Sequence, residues 1–192
     1  MTEKKEKILT IAQGIFARFG IRKTTMDEIA KKSRIGKATL YYYFKNKEDV
    51  FREVIQKESI ILKETIEAEL KKVKTPQEKI ITYILTRMKI LKKLSNYYEA
   101  LLDKNYFEYY EFIEEERKEF TNYEVGVFET ILIEWHVWRM FLWLIDPKET
   151  AHIIIIAMKG LEFPLIMQDS SKDIEKDIDL LVKILLKGLE VR

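Results

Sequence analysis

The chain has 192 residues, 47% hydrophobic and 34% charged, with 6 Gly, 3 Pro and no Cys. That is enough apolar material for a core, too much for disorder, and too little Gly and Pro for a loop-rich β protein. The missing thiols exclude a disulfide scaffold, a Cys-bound zinc site and Cys nucleophile chemistry, and they fit a reducing, cytoplasmic compartment. The net charge of +2 is unevenly spread: residues 1–50 hold 12 Lys/Arg against 6 Asp/Glu, and the remaining 142 hold 22 against 26. A basic head on a slightly acidic body suggests a polyanionic partner for the head, although chance clustering on a solvated face gives the same count.

The periodicity is helical nearly throughout. Ile8, Ala12, Ile15, Phe16 and Phe19 form one stripe, and Gly20 ends that first helix. Thr25 caps a second helix, with Glu28 completing a capping box and Ile29 and Ala30 facing inward. Ser33-Arg34-Ile35-Gly36 is a break, followed by a short third helix from Lys37 to Phe44. Asn46 caps a long fourth helix, with Asp49 at the capping-box position, running to about Val73. Thr75-Pro76-Gln77-Glu78 starts a fifth, which holds Ile80, Ile81, Ile84, Met88 and Leu91. Asn96 and Asn105 bracket a short helix. A long one follows with Tyr109, Ile113, Phe120, Tyr123, Val127, Ile131, Trp135 and Trp138 on one stripe, broken at Asp146-Pro147. Helix 148–168 is apolar nearly all round, and a last helix carries Ile174, Ile178, Leu181, Leu185 and Leu189. About nine helices and no strand predict an all-α chain, with a head of residues 1–50 and a helical body of residues 51–192.

The start, Met1 to Lys7, is charged and has no apolar run after it, so no export signal is expected. The most apolar stretch, Ala151–Met167, contains His152, Lys159, Glu162 and Pro164. It is shorter than the ~20 residues a bilayer needs, and reads as a buried helix with no membrane partner.

Function concentrates in Thr25–Lys47. Two short helices joined by a tight turn, the second rich in small polar and aromatic residues, make a helix-turn-helix whose second helix can enter the major groove of double-stranded DNA. Lys37 and Thr39 stand at its start, within reach of base edges and phosphates. Tyr41, Tyr42 and Lys47 offer hydroxyls and a charge to the backbone. The bland alternative is an ordinary helical hairpin with half-buried tyrosines, but three consecutive phenols are hard to place wholly in a core.

Ala12-x3-Phe16-x3-Gly20, Thr25, Ile29-Ala30, Ile35, Thr39-Leu40-Tyr41-Tyr42-x-Phe44 and Lys47-Glu48 together resemble the N-terminal DNA-binding domain of TetR-family transcriptional regulators, over about residues 5–55. The resemblance implies a homodimeric repressor on a near-palindromic operator, released by a small effector bound in the body. By position it also implies DNA contacts from Thr25, Lys37, Ala38, Thr39, Tyr41, Tyr42, Tyr43 and Lys47, and a four-helix dimer interface from helices about 148–168 and 173–190. Two residues depart from the family pattern: Tyr43 stands where His is frequent, and Arg34 where Gly is frequent in the turn.

Of 23 aromatic residues, 14 fall in 97–143, enough flat apolar surface to line a pocket for an apolar or aromatic effector. The candidate walls are Tyr83, Met88, Tyr98, Phe107, Phe120, Tyr123, Phe128, Ile131 and Trp135; a plain core is the competing reading. His136 and Arg139, among Trp135, Trp138 and Trp143, read better as a surface pair than as a ligand clamp, and His152 as an interface or cap residue. With two His, no Gly-rich phosphate loop, no HExxH and no Ser-centred nucleophile motif, the sequence predicts no enzyme, metal site or cofactor. A helical small-molecule-binding or adaptor protein without DNA binding is the alternative, though it leaves the tyrosine-rich third helix unexplained.

Overall fold

The computed structural model describes residues 2–101, 112, 114–137, 146–167 and 174–189. Among these residues there are eight named helices and no strand: α1 (Glu3–Lys23), α2 (Met26–Ser33), α3 (Lys37–Tyr43), α4 (Lys47–Leu70), α5 (Pro76–Leu101), α6 (Lys118–Val137), α7 (Pro147–Met167) and α8 (Ile174–Leu189). The all-α expectation therefore holds. The chain divides into two compact units, Met1–Ile61 with Lys92–Lys118, and Leu62–Leu91 with Glu119–Arg192.

Helix starts follow the expected capping chemistry. Thr75 accepts from the Glu78 amide at 3.3 Å while its own N–H donates to the Glu78 carboxylate at 3.0 Å, and Pro76 occupies the first helical position. Asp146 accepts from the amides of Lys148 and Glu149 at 2.8 and 3.0 Å and so starts α7. Asn46 accepts from the Asp49 amide at 2.8 Å. The Asp49 carboxylate does not close a box with Asn46; it takes the Lys45 amide and Arg52 Nη1 instead.

Two boundaries differ from the sequence reading. Helix α5 continues through Asn96, where a break was expected; Asn lowers helix propensity by only about 0.7 kcal/mol relative to Ala, too little to end a helix by itself. Helix α4 ends at Leu70 rather than Val73, in a tightened turn where Lys72 N–H donates to Glu69 C=O and Val73 N–H to Leu70 C=O. Of the long helix expected to begin near Asn105, residues 112 and 114–116 are helical, and α6 follows a turn at Arg117. Tyr109, Ile113 and Trp138 of its predicted stripe, and the position of Asn105, lie outside the described residues.

The first unit is built on one core, in which Ile8, Leu9 and Phe16 of α1, Ile29 of α2, Leu40 of α3 and Phe51 of α4 are essentially fully buried. The Phe16 and Phe51 rings meet edge to face at 5.2 Å, and Phe112 stacks on Phe51 at 5.9 Å. Gly20 interrupts α1 with φ 72° and ψ 162°, a backbone state that a Cβ disfavours. One further turn, Ile21–Lys23, follows it. The buried Thr24 hydroxyl then donates to Gly20 C=O at 2.7 Å, which satisfies both groups.

The second unit gathers Leu62 and Ile66 of α4, Ile84 of α5, Phe128 of α6, Ile155 of α7 and Val182 of α8 into a separate core. The four consecutive isoleucines of α7 point different ways, as a 3.6-residue period requires. Ile155 is buried, whereas Ile153 and Ile156 are 63% and 53% exposed. On α8, Leu180 and Ile184 are also exposed while Val182 is not.

Glu58 of α4 is a charged residue inside the first unit. It is 3% exposed, and Gln13 Nε2 of α1 donates to one of its oxygens at 2.7 Å. Burial pushes its carboxyl up to about 6, against the opposing effects of Arg117, the Gln13 hydrogen bond and Lys57. The native state thus holds this proton more tightly than the unfolded chain does. The contribution to stability is complete below pH 4.5 and is lost as pH rises through about 6. Glu58→Gln is expected to raise stability at pH 7 by on the order of 1–2 kcal/mol and to flatten the pH dependence across that window, measured by thermal denaturation at a series of pH values.

Candidate nucleic-acid interface

Helix α2 is held at both ends. Thr25 Oγ1 accepts from the Glu28 amide at 3.2 Å and Thr25 N–H donates to Glu28 Oε2 at 3.0 Å, a closed capping box. At the other end Arg34 is left-handed, with φ 54° and ψ 47°, the one non-glycine residue with positive φ among the described residues. Arg34 N–H donates to Lys31 C=O at 3.2 Å, and Ile35 N–H reaches back to Ala30 C=O at 3.1 Å. These are the reverse bonds of a Schellman ending. They aim Ile35 toward the core and set the angle at which α3 leaves.

Helix α3 is positioned by two buried anchors. Leu40 is 0% exposed, and Phe44, just beyond the helix, is 2% exposed. Because these two point inward, Lys37, Ala38, Tyr41 and Tyr42 point outward. Tyr42 is 83% and Tyr41 52% exposed. Thr39 and Tyr43 are half-buried, Tyr43 resting against the core with its ring edge-on to Tyr42 at 5.2 Å.

Two of the candidate residues have protein partners that the sequence did not reveal. Lys37 Nζ lies 2.5 Å from Asp27 Oδ2, across the turn from α2, in an exposed pair. Lys47 Nζ donates to the carbonyls of Arg22 at 3.2 Å and Thr24 at 3.4 Å, which fastens the start of α4 to the end of α1. A cation there also complements the negative end of α1. Neither contact has a periodic signal, since each joins residues from different helices.

In the second unit, Tyr83, Met88, Phe120, Phe128, Ile131 and Trp135 are buried in one cluster, with Tyr123 packed against it. The Tyr123 hydroxyl is held well above its usual range, first by burial and then by the Glu67 carboxylate; Lys63 Nζ sits 4.6 Å from its ring centroid. Phe107, Arg139 and the side chains of Tyr98 and His136 lie outside the described residues. No group of three or more candidate metal ligands is present among the described residues.

The sequence reading missed the charged centre of this cluster. Glu124 is 0% and Arg87 3% exposed. Arg87 Nε and the Tyr83 hydroxyl each donate to Glu124 Oε1 at 2.6 Å. Burial, then the Glu124 charge, raise the Tyr83 pKa strongly, so the phenol keeps its proton and remains the donor. A signal existed: Glu124 precedes Phe128, Ile131 and Trp135 by four, seven and eleven residues, the spacing of one helix face.

A capped α2, a left-handed turn and a short α3 that exposes tyrosines and a lysine define a helix-turn-helix head of the kind that reads DNA. Residues 8–54 match the family described as bacterial regulatory proteins, tetR family. The chain is similar to the HTH-type transcriptional regulator QacR of Staphylococcus aureus, 40% identical over 79 residues, which is 41% of this chain and 42% of that protein. The chain thus spans less than half the length of this curated relative. The fold is similar over 100% of the chain and 99% of the fatty acid degradation regulator FadR from Bacillus halodurans, at TM-score 0.78 and 21% identity. It is also similar to FadR from Bacillus subtilis in complex with stearoyl-CoA, at TM-score 0.76 and 20% identity, over 96% of this chain and 99% of that one.

The left-handed turn carries a stability prediction. A side chain in this conformation costs on the order of 1 kcal/mol, which glycine avoids. Arg34→Gly is therefore expected to leave the melting temperature unchanged or to raise it; a clear drop would mean that the Arg34 side chain contributes more than its backbone strain costs.

Proposed function

We propose that the chain is a sequence-specific transcriptional regulator, a ligand-released repressor that acts as a homodimer on a near-palindromic operator in the cytoplasm. The observation that carries this reading is α3, whose outward face presents Lys37, Tyr41 and Tyr42 while Leu40 buries the inward one. Residues 1–50 serve as the DNA-binding head and residues 51–192 as the effector-binding and dimerisation body. Thr25, Tyr41, Tyr42, Tyr43 and Lys47 contact backbone phosphates. Lys37, Ala38 and Thr39 stand at base edges, with Lys37 leaving Asp27 to do so. No chemical reaction is part of the proposal.

The aromatic cluster of the second unit supports an effector site for an apolar or aromatic molecule, with Tyr83, Met88, Phe120, Tyr123, Phe128, Ile131 and Trp135 as its walls. A small molecule is bound by one protein of this fold, the B. subtilis FadR with stearoyl-CoA. The ligand releases DNA only if it favours a dimer whose heads no longer match the operator, and by linkage the operator weakens ligand binding by the same factor. Dimerisation is supported by Ile153 and Ile156 on α7 and Leu180 and Ile184 on α8, all more than half exposed. The two pairs recur at three- and four-residue spacing, as a helix-packing stripe does.

A binding selection on random duplexes tests the central claim: it is expected to recover a two-fold symmetric site with half-sites about one helical turn, ~34–36 Å, apart or a multiple of that. Failure to recover any symmetric site would overturn it. On that operator, Tyr42→Phe is expected to weaken binding to specific and mutated sites alike, by about 1.5 kcal/mol for one lost hydrogen bond to phosphate. Lys37→Ala is expected to change base preference at one position of each half-site. Ile153→Glu combined with Leu180→Glu is expected to give a monomer by analytical ultracentrifugation, with the helical signal retained.

A further inference from the structure

The two oxygens of the buried Glu124 carboxylate are in unequal positions. Oε1 accepts from both Tyr83 and Arg87 at 2.6 Å. Oε2 is equally shut off from solvent and accepts from no protein donor. Leaving a charged acceptor unmatched carries its full desolvation cost, so a donor brought to Oε2 would be favoured. The surroundings are aromatic: the Tyr83 ring stands edge-on to Phe128 at 4.7 Å, and Ile131 and Trp135 continue the same face of α6 over roughly 16 Å. The charges of Arg87 and Glu124 already cancel. A carboxylate beside Oε2 would set anion against anion. An ammonium would satisfy Oε2 but leave the buried group with a net positive charge. A neutral hydroxyl supplies the missing donor and adds no charge.

We propose that Glu124 Oε2 is the polar anchor of the effector site, and that it selects an apolar or aromatic molecule carrying a neutral hydroxyl, a phenol or an alcohol, over the corresponding acid or amine. Tyr83 and Arg87 are positioning residues: by occupying Oε1 they orient the carboxylate and leave Oε2 as the free acceptor. The assignment rests on the body being the effector site proposed above.

The test uses the full chain and one aromatic frame: 2-naphthol, naphthalene, 2-methoxynaphthalene, 2-naphthoate and 2-naphthylmethylammonium. Binding is measured by calorimetry and tryptophan fluorescence, and release from operator DNA is measured separately. 2-Naphthol is expected to bind about tenfold more tightly than naphthalene or the methyl ether, the worth of one hydrogen bond to a charged acceptor, and the two charged compounds are expected not to bind. Glu124→Gln keeps an oxygen toward Tyr83 and Arg87 and turns an N–H to where Oε2 stood, so its preference should shift to the acceptor, 2-methoxynaphthalene. Should that variant fail to fold, the ranking with the unaltered protein still decides. Equal affinity for 2-naphthol and naphthalene, tighter binding of the acid or amine, or no binding by any of the five overturns the anchor. If naphthalene and 2-naphthol bind alike and release DNA alike, the anchor falls and the effector reading stands. If 2-naphthol binds selectively and DNA affinity does not change, the anchor stands and ligand release falls.

Discussion

Helix α3 has seven residues, far below the ~12–15 at which an isolated helix becomes even marginal in water. Its geometry therefore comes from what lies beneath it. Leu40 and Phe44 are driven into the core made by Ile8, Phe16, Ile29 and Phe51, and the left-handed Arg34 sets the angle from which α3 leaves α2. Everything the head presents follows from those anchors. Turning α3 by one residue, about 100°, would carry Tyr41 inward and Leu40 outward, at the loss of a fully buried leucine. The outward face of α3 is thus set by the packing of its opposite face.

The head also spends electrostatics on its own architecture. Lys47, which a phosphate would attract, already closes the C-terminal end of α1 through the carbonyls of Arg22 and Thr24. Lys37 is paired with Asp27 at the surface, where such a pair is worth at most about 1 kcal/mol and is easily exchanged. The two lysines therefore differ in role. Lys47 holds helices together and keeps its ammonium at a fixed point for the proposed phosphate contact, and Lys37 can swing to a new partner at little cost.

In the second unit the packing problem is solved differently. Its core tolerates a buried ion pair, Arg87 with Glu124, joined by the Tyr83 hydroxyl. Such a pair contributes little to stability relative to well-packed apolar side chains, and it stands in a core otherwise made of aliphatic and aromatic side chains. The outward isoleucines and leucines of α7 and α8 are the converse case, apolar groups left at a surface. Both features break the simple rule of apolar inside and polar outside, and both sit where the proposed regulator would need a ligand and a twin.

Local chemistry was enough to determine much of this protein. The capping box at Thr25 and Glu28, the Thr75-Pro76 start and the Asp146-Pro147 start were legible because each involves groups within four residues of one another. The helix-turn-helix was legible because spacing on short helices fixes which side chains share a face. Asn96 misled because a propensity of about 0.7 kcal/mol is a weak prior for where a helix ends. The conformation of Arg34 was not legible, since sequence shows that glycine is absent from the turn but not whether the backbone accepts the strain. The structure shows the left-handed state, closed by the local bonds from Arg34 N–H to Lys31 and from Ile35 N–H to Ala30. Only tertiary structure brought Lys37 to Asp27, Lys47 to the end of α1, and Tyr83 and Arg87 to Glu124, because those contacts join residues 10 to 41 positions apart on different helices. Nothing in a local pattern encodes which distant helix will supply the partner.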